Sequence, residues 1–452
     1  MIFLILILGL ILRFVSLNQS LWLDEATSIL TARDLTFSDI LTKFSPGDFH
    51  PPLYYLMLKV WMMMLGSSEV AARSLSVVLG ISTIYIVFLI GKKLFNKNIG
   101  LVSALFLATA PLHLYYSQEA RMYSMETLLA TIVVYFVITK KFLWLTIFSA
   151  ALLYTDYLPV FLLASLVVYL IIYEKKYIVY VFGWIIATGV IFLPWIPTLL
   201  TQIQSGVGVR QNAPLWWQTL GRTDLKELAL VPVKFIIGRI SSYNKIFYGS
   251  IVAVAAVPFF ITLIESLSQF SKTKLLWWWL AGPLILSSLF GTIFSGFSYF
   301  RLIFILPAFY LLVAYGGISI NQKVLKLIVI GGILIVNIIA SSIYLFNPRF
   351  HREDWRKAVI WIEENARQKT AATLFIGNGQ REAYHYYAKF VPDVKIEDIS
   401  KNKFNVIYLM RYAQPIFDPQ DEVRYKLENI GFEKTVEWDF NGVGVWKYEN
   451  RY

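Results

Sequence analysis

The sequence predicts an α-helical polytopic membrane protein of about 11 transmembrane helices, followed by a small C-terminal α/β extracytoplasmic domain. Hydrophobic residues make up 57% of the 452 residues, charged residues only 15%, and the mean hydropathy is +0.59. A soluble protein of this size would need more charge to cover its surface. The apolar residues also occur in long runs rather than at amphipathic spacing, which is typical of membrane spans.

The apolar runs set the predicted spans. Residues 142–173 form two of them, because one helix of that length would reach about 48 Å across a hydrocarbon core of about 30 Å. The break is predicted at residues 154–159, and residues 51–66, which open on two prolines, are predicted to be juxtamembrane. The remaining predicted spans are residues 1–17, 74–91, 98–115, 123–139, 178–199, 246–264, 276–293, 299–317 and 325–346.

Lysine placement predicts the orientation. One set of alternate loops carries most of the lysines, whereas the opposite short loops hold only Arg121 and Arg301. By the positive-inside rule the N-terminus is cytoplasmic and the C-terminal domain lies outside the cell membrane. The same lysines account for the net charge of +12, so no nucleic-acid partner is predicted. The lysines in question are Lys92, Lys93, Lys97, Lys140, Lys141, Lys175, Lys176, Lys272, Lys274, Lys323 and Lys326.

Two regions outside the spans have their own patterns. Residues 36–44 show an i, i+3, i+4, i+7 apolar repeat after Thr36, which predicts a helix in the bilayer plane. The composition changes near residue 350, so residues 1–346 are predicted to be the transmembrane domain and 347–452 the soluble domain. There, residues 355–367 are predicted to be a helix, ATLFIG and NVIYLM to be strands, and Asn441-Gly442 a hairpin turn.

Two adjacent carboxylates follow the first span. Asp24 and Glu25 lie on the predicted outer side, where burying charge is costly unless it has a purpose. The functional interpretation is a general base that deprotonates an acceptor hydroxyl, with or without a cation. The structural alternative is a solvated helix cap at the bilayer surface. The chain has no cysteine and four histidines, which excludes disulfides, thiolate metal sites and cysteine nucleophiles.

Further polar residues occur in the predicted outer loops. His50 precedes the diproline and is either oriented by it or incidental at a helix start. Glu119 and Arg121 either lock two spans together as an ion pair or bring a guanidinium to a phosphate. Asp156 lies in a tight turn, and Arg301 opens a span. Acid or arginine in each short outer loop, against lysine inside, favours a functional cluster.

WLDEA, then HPPLYY, then YSQEARMY resemble the membrane glycosyltransferases of the protein O-mannosyltransferase and aminoarabinose transferase type (glycosyltransferase family 39-like). The resemblance runs from about residue 10 to 125 and continues weakly through YFRL and the DWR opening of the tail. It implies a GT-C fold and an inverting transfer of a monosaccharide from a polyprenyl-phosphate donor to a hydroxyl acceptor: a glycan, a lipid or a protein. The site would face the non-cytoplasmic side and meet membrane lipids.

The resemblance also implies residue roles. Asp24 would be the catalytic base, with Glu25 orienting it or helping to hold the acceptor or a cation. The donor phosphate or substrate would be bound by His50, Glu119, Arg121, Tyr123, Asp156 and Arg301, with Glu119 positioning Arg121. A divalent cation is the one candidate cofactor, and its candidate ligands are Asp24, Asp48 and His50.

Two other functions are consistent with the spans. A secondary transporter would use Asp24, Glu119 and Asp156 as ion-coupling groups, but transporters place such acids near the bilayer midplane and often in repeated halves. A non-catalytic member of the same scaffold would only bind lipid. The loop at about residues 200–245, with Trp216, Trp217 and Arg222, either folds over the acceptor or lies at the interface.

Overall fold

The computed structural model describes residues 1–212, 215, 223–293, 296–366, 370–377, 380–399 and 404–450. Each predicted span is present as an apolar helix, which confirms the α-helical membrane architecture. The helices are Ile2–Phe14, Glu69–Leu94, Lys97–Thr109 with Pro111–Ser117, Tyr123–Thr139, Phe142–Leu153, Val160–Tyr173, Ile178–Phe192, Lys245–Ser268, Phe270–Ile293, Leu306–Ser319 and Lys323–Phe346.

Helix length decides which of these can cross a bilayer without distortion. Among the described residues, six helical segments are long and apolar enough, and a seventh results if a pair bent by 62° is one span. Five other apolar helices have 10–17 residues. The protein is therefore a multi-pass membrane protein, and the count of eleven spans stays a prediction.

Residues 142–173 form two short helices, as predicted. The first ends at Leu153 and the second begins at Val160. In the turn between them, Asp156 Oδ1 accepts a hydrogen bond from the Leu158 amide at 2.9 Å. This local bond stabilises the reversal of the chain, because a short Asp side chain can replace backbone partners in a turn.

The bent helix pair breaks at Ala110, because Pro111 cannot donate to the preceding turn. Buried Arg13 contacts residues on both sides of the break. Its Nη1 donates to the Ala108 carbonyl at 3.1 Å, and its Nη2 lies 2.7 Å from His113 Nδ1. The break redirects the chain, so that Pro111–Ser117 leads into the loop that carries Glu119 and Arg121.

The other helical segments lie between or beside the spans. Thr36 caps the predicted in-plane helix, accepting from the Asp39 amide at 3.1 Å. Trp216, Trp217 and Arg222 lie outside the described residues. These segments are Leu23–Asp34, Phe37–Asp39, Ile40–Phe44, Ser45–Gly47, Leu53–Leu65, Lys175–Tyr177, Leu193–Trp195, Ile196–Asn212, Leu225–Ile237, Tyr299–Ile305 and Pro348–Phe350.

The C-terminal tail (347–452) forms a five-stranded mixed sheet in the order β2-β1-β3-β5-β4. The strands are β1 Ala371–Phe375, β2 Asp393–Val394, β3 Val406–Met410, β4 Phe432–Asp439 and β5 Gly444–Asn450. β1 and β3 are buried throughout and pair in parallel, as expected for strands covered on both faces. The tail helices are Trp355–Ala366, Glu382–Tyr387, Ile396–Ile399, Gln414–Phe417 and Glu422–Asn429.

The predicted hairpin turn joins β4 and β5. Asn441 and Gly442 both have positive φ, 53° and 99°, the conformation that a tight two-residue hairpin turn requires. The Asn441 side chain then donates to the Arg352 carbonyl at 2.9 Å. The turn is thereby tied to the segment that connects the tail to the last span.

The tail is docked on the helix bundle near the start of helix Leu23–Asp34. Tyr387 Oη accepts from the Leu21 amide at 2.8 Å. Arg356 Nη2 donates to Glu69 Oε1 at 2.6 Å and to the Asn18 carbonyl at 2.8 Å. These contacts close the space between bundle and tail on one side and leave a large cavity beside it.

Candidate active site

A cavity of about 1020 Å³ lies between the helix bundle and the tail. Both parts of the chain contribute to its wall. The bundle supplies Trp22, Leu23, Asp24, Thr27, His50, Tyr115, Tyr116, Glu119, Arg121, Tyr123, Arg239, Ser241, Phe300 and Arg301. The tail supplies Arg349, Phe350, His351, Arg352, Glu353, Gln380, Glu382, Tyr412, Ala413, Ile416, Phe417, Asn441 and Gly442.

Asp24 presents its carboxylate to this cavity. It lies in the first turn of helix Leu23–Asp34, where the helix dipole favours negative charge. Its side chain is 42% exposed, and Oδ2 lies 3.8 Å from Arg121 Nη2. A partly exposed carboxylate beside one cation can accept a proton from a hydroxyl in the cavity.

Glu25, the next residue, lies behind the cavity wall and is fully buried. Arg73 binds it with two hydrogen bonds, at 2.8 and 2.5 Å, and the Ala120 amide donates to Oε1 at 2.8 Å. Burial alone would raise the pKa of Glu25, but the charges of Arg73 and Arg352 and these hydrogen bonds hold it below the ordinary glutamate value. Glu25 is placed to fix the start of the helix rather than to touch a substrate.

Glu119 is bound by the tail. Arg352 Nη2 donates to Glu119 Oε2 at 2.8 Å, and Trp22 Nε1 donates to Oε1 at 3.2 Å. Burial raises the pKa of Glu119 above the ordinary value, and the charge of Arg352 opposes that rise only in part. The predicted pairing of Glu119 with Arg121 is wrong, because Arg352 occupies the carboxylate and Arg121 lies against Asp24 instead.

Hydrogen bonds connect Arg121 through Tyr55 to Asp48, and His50 lies beside Asp48. Arg121 Nη1 donates to Tyr55 Oη at 3.3 Å, and Tyr55 Oη donates to Asp48 Oδ2 at 2.6 Å. His50 Nδ1 lies 3.5 Å from the same carboxylate oxygen. Burial would raise the pKa of Asp48, but His50, Arg121 and the Tyr55 bond outweigh it and hold the pKa well below the ordinary value.

Three further arginines make part of the wall basic. Arg239, Arg301 and Arg349 line the cavity, and none of them has a carboxylate partner among the described residues. Arg239 Nη1 donates to Tyr115 Oη at 2.9 Å, and its guanidinium lies over the Tyr115 ring at 4.9 Å. Unpaired guanidinium groups suit a phosphate, whose oxygens match their fork of N–H donors.

Aromatic side chains form another part of the cavity wall. The Tyr116 and Tyr123 rings meet edge to face at 4.8 Å, and Tyr123 meets Phe300 at 5.8 Å. Tyr123 is 6% exposed, so only a small part of its side chain borders the cavity. The rings fix the positions of the neighbouring loop and of Arg301 by packing.

Six of the residues predicted from the sequence meet at one cavity: Asp24, His50, Glu119, Arg121, Tyr123 and Arg301. Glu25 lies behind its wall, and Asp156 is not among the lining residues. Four further residues of the cavity wall were not predicted from the sequence: Arg239, Arg352, Glu353 and Tyr412. The available signals were the charged opening of the tail at His351–Arg356 and an arginine late in the loop at about residues 200–245.

The candidate metal ligands do not form one cluster. Within the described ranges, no group of three or more His, Asp or Glu side chains is arranged to hold a metal ion. Asp48 and His50 form a pair with each other, and Asp24 is paired with Arg121. A divalent cation at Asp24, Asp48 and His50 therefore stays a prediction without support from this geometry.

Part of the chain matches a known sequence family. Residues 49–200 match the sequence family described as dolichyl-phosphate-mannose-protein mannosyltransferase. None of the curated proteins compared with the chain matches it in sequence.

Solved structures match over nearly the whole chain. ArnT from Cupriavidus metallidurans bound to undecaprenyl phosphate has a TM-score of 0.65 at 12% identity, over 98% of this chain and 97% of that one. Its apo structure has a TM-score of 0.58 at 13% identity over the same shares. The archaeal oligosaccharyltransferase AglB from Archaeoglobus fulgidus, in complex with an inhibitory peptide and a dolichol-phosphate, gives 0.56 at 10% identity over 98% and 74%. The predicted resemblance is thus confirmed: the chain has the GT-C fold of membrane glycosyltransferases, and its residues 49–200 match the dolichyl-phosphate-mannose-protein mannosyltransferase family.

Proposed function

We propose that the protein is an inverting glycosyltransferase that moves a monosaccharide from a polyprenyl-phosphate donor to a hydroxyl acceptor, with Asp24 as the base. The observation that carries this proposal is the charge distribution of the cavity. A half-exposed carboxylate borders one part of it, and arginines without carboxylate partners among the described residues border another. A reaction that needs one base and one anion site can use these two groups of side chains.

The donor phosphate is assigned to the basic part of the wall. Arg239 and Arg301 supply N–H donors and charge there, and Arg121 supplies a third guanidinium next to Asp24. The undecaprenyl phosphate and dolichol-phosphate in the two structural relatives support a lipid phosphate as the bound group. The tail and this face of the bundle would lie outside the cell membrane, as the lysine distribution predicts.

The chemistry is a single displacement. The acceptor oxygen attacks the anomeric carbon while Asp24 takes the hydroxyl proton, and the bond from that carbon to the phosphate oxygen breaks. The electron pair leaves with the lipid phosphate, whose negative charge the arginines stabilise, so no proton donor is needed for the leaving group. Attack from the side opposite to the phosphate inverts the anomeric configuration.

The acceptor would enter from the tail side of the cavity. Glu353, Gln380 and Tyr412 provide polar groups there, and Tyr412 Oη donates to Glu353 Oε1 at 3.2 Å. These groups can hydrogen-bond an acceptor hydroxyl and hold it towards Asp24.

The proposal is tested by replacing the base. The purified protein is incubated with radiolabelled polyprenyl-phosphate sugars and a lipid and glycan extract, and products are identified by mass spectrometry. Asp24→Asn should lower transfer by about a thousandfold, since it removes the general base and leaves the shape intact. Asp34→Asn, in the last turn of the same helix and 51% exposed, is the matched control and should transfer normally.

Two results would overturn the proposal. Transfer by Asp24→Asn at the wild-type rate would exclude Asp24 as the base. Absence of transfer by the wild-type protein from every polyprenyl-phosphate sugar offered, with lipid binding intact, would favour a non-catalytic lipid-binding protein.

The predicted orientation has its own test, because the natural chain has no cysteine to cause background. Cysteine placed at Lys357, whose side chain is 76% exposed, should react with a membrane-impermeant maleimide on intact cells. Cysteine placed at exposed Lys323 should react only after lysis. The reverse pattern would place the cavity on the cytoplasmic side.

A further inference from the structure

Arg352 is a tail residue that is buried inside the site. Its side chain is only 2% exposed, its Nη2 donates to Glu119 at 2.8 Å, and its Nε lies 3.5 Å from Glu25 Oε2. Its guanidinium also lies 4.4 Å above the centre of the Tyr115 ring. A single side chain of the tail therefore contacts both buried carboxylates of the bundle.

Those two carboxylates hold the backbone that carries the reacting groups. Glu25 follows Asp24 directly and binds the amide of Ala120, the residue before Arg121. Glu119 binds the indole of Trp22, which is the N-cap of the helix that carries Asp24. Small movements of either carboxylate would shift both Asp24 and Arg121.

The buried charges balance only when Arg352 is in place. Arg73 and Arg352 provide two cations for Glu25 and Glu119, and all four side chains are at most 2% exposed. Arg73 binds Glu25 but is not an ion-pair partner of Glu119 in the structure. Removing Arg352 would leave Glu119 buried without its ion-pair partner, and an unpaired buried charge forces rearrangement or proton uptake.

We propose that Arg352 is a positioning residue through which the docked tail completes the active site. With the tail seated, the ring of Arg73, Glu25, Arg352 and Glu119 fixes Asp24 and Arg121 in the reactive arrangement. With Arg352 withdrawn, the cavity remains but its base and its nearest guanidinium lose their fixed separation. This inference rests on the proposed glycosyl transfer and adds to it that the tail is obligatory for turnover.

Arg356 provides a matched control. It lies one turn further along the chain and also anchors the tail, through Glu69 at 2.6 Å and the Asn18 carbonyl at 2.8 Å. It contacts neither Glu25 nor Glu119. Arg356→Gln thus removes one docking contact and leaves the buried charge ring intact, whereas Arg352→Gln alters the ring itself.

The experiment measures kcat and the donor KM of the full-length protein, with limited proteolysis of the tail as a readout of docking. Arg352→Gln should keep the protease-resistant tail and lose kcat on the order of 100-fold, because a misplacement of about 1 Å costs that much. Its donor KM should stay within about threefold, and Arg356→Gln should keep kcat within about threefold. Added guanidinium ion should restore part of the activity of Arg352→Ala.

Three outcomes would overturn the inference. These are wild-type kcat in Arg352→Gln, equal losses in the two glutamine variants with both tails released, and a change confined to donor KM. If neither Arg352→Gln nor Arg352→Ala folds, Arg352→Lys decides the question, since it keeps the charge but not the planar fork of donors. Wild-type turnover by that variant would count against the inference, whereas inactivity of the wild-type protein would count against the proposed function alone.

Discussion

Glu25 and Arg73 form a fully buried, two-pronged ion pair, with hydrogen bonds of 2.8 and 2.5 Å, directly behind the helix turn that exposes Asp24. The same guanidinium donates to the carbonyls of Leu17, Gln19 and Ser20. The pair therefore connects the end of the first span to the start of the helix that carries Asp24. Glu25 is therefore buried and paired with Arg73, whereas its neighbour Asp24 faces the cavity. We expect mutation of Glu25 to lower stability and mutation of Asp24 to leave stability nearly unchanged.

Glu25→Gln should destabilise the protein by about 3 kcal/mol, because it leaves Arg73 and part of the charge of Arg352 buried without a counter-charge. The measurement is thermal unfolding in detergent. Asp24→Asn, by contrast, should change the melting temperature little, since its carboxylate is half exposed. Equal melting temperatures for Glu25→Gln and the wild type would contradict the role given to the pair.

Arg239→Gln should weaken donor binding about 10- to 100-fold, because it removes a charge-assisted hydrogen-bond donor worth about 1.5–3 kcal/mol from the proposed phosphate site. Binding of a polyprenyl phosphate without sugar can be followed by fluorescence or calorimetry. Arg33→Gln is the control, since Arg33 is exposed and paired with Asp34. Unchanged affinity in Arg239→Gln would move the phosphate site elsewhere.

Much of this architecture follows from local rules, and the misses have physical reasons. The Tyr154–Pro159 break, the Thr36 cap and the Asn441-Gly442 turn were predictable, because each depends on residues a few positions apart. Arg352 and Arg239 were missed, because their roles depend on how the tail and a distant loop dock. Glu119 was given the wrong partner for the same reason, since its arginine lies 233 positions away.

A comparison of the wild type with Asp48→Asn should show how much ionised Asp48 stabilises the folded protein at each pH. The pKa of Asp48 in the folded protein is held well below the unfolded value of about 3.9. Its ionised form therefore contributes stability that is fully present above the unfolded pKa and is lost as the pH falls through the folded pKa. The melting temperature of the wild type should exceed that of Asp48→Asn at pH 6–8 by a constant margin.

The difference in melting temperature between the wild type and Asp48→Asn should narrow only when the pH falls below about 4. Melting curves of both proteins from pH 3 to 8 provide the comparison, read only where both remain soluble and refold. A margin that already vanishes above pH 6 would contradict ionised Asp48 as the source of this stability.

Gly91→Ala tests the helix packing beneath the site. A Cβ on Gly91 would lie 2.7 Å from Gly100 Cα, a backbone atom of the neighbouring helix that cannot turn aside. The two helices would have to separate, at a cost of about 1–3 kcal/mol. Gly189→Ala, where a Cβ meets nothing within 4 Å, should be neutral or slightly stabilising in the same thermal assay. Equal behaviour of the two variants would rule out this close approach.

Glu126 is a buried carboxyl in helix Tyr123–Thr139, one turn from Tyr123 of the cavity wall. Neither of its carboxylate oxygens has a hydrogen-bond partner in the part of the chain that the structure describes. Burying a polar group without a partner costs about 1–3 kcal/mol, so Glu126→Met, an apolar side chain of similar length, should raise thermal stability. Glu119→Met should lower it, because Glu119 loses bonds to Arg352 and Trp22. If Glu126→Met instead abolished transfer at an unchanged melting temperature, the carboxyl would be acting on the nearby charge of Arg301 rather than merely occupying space.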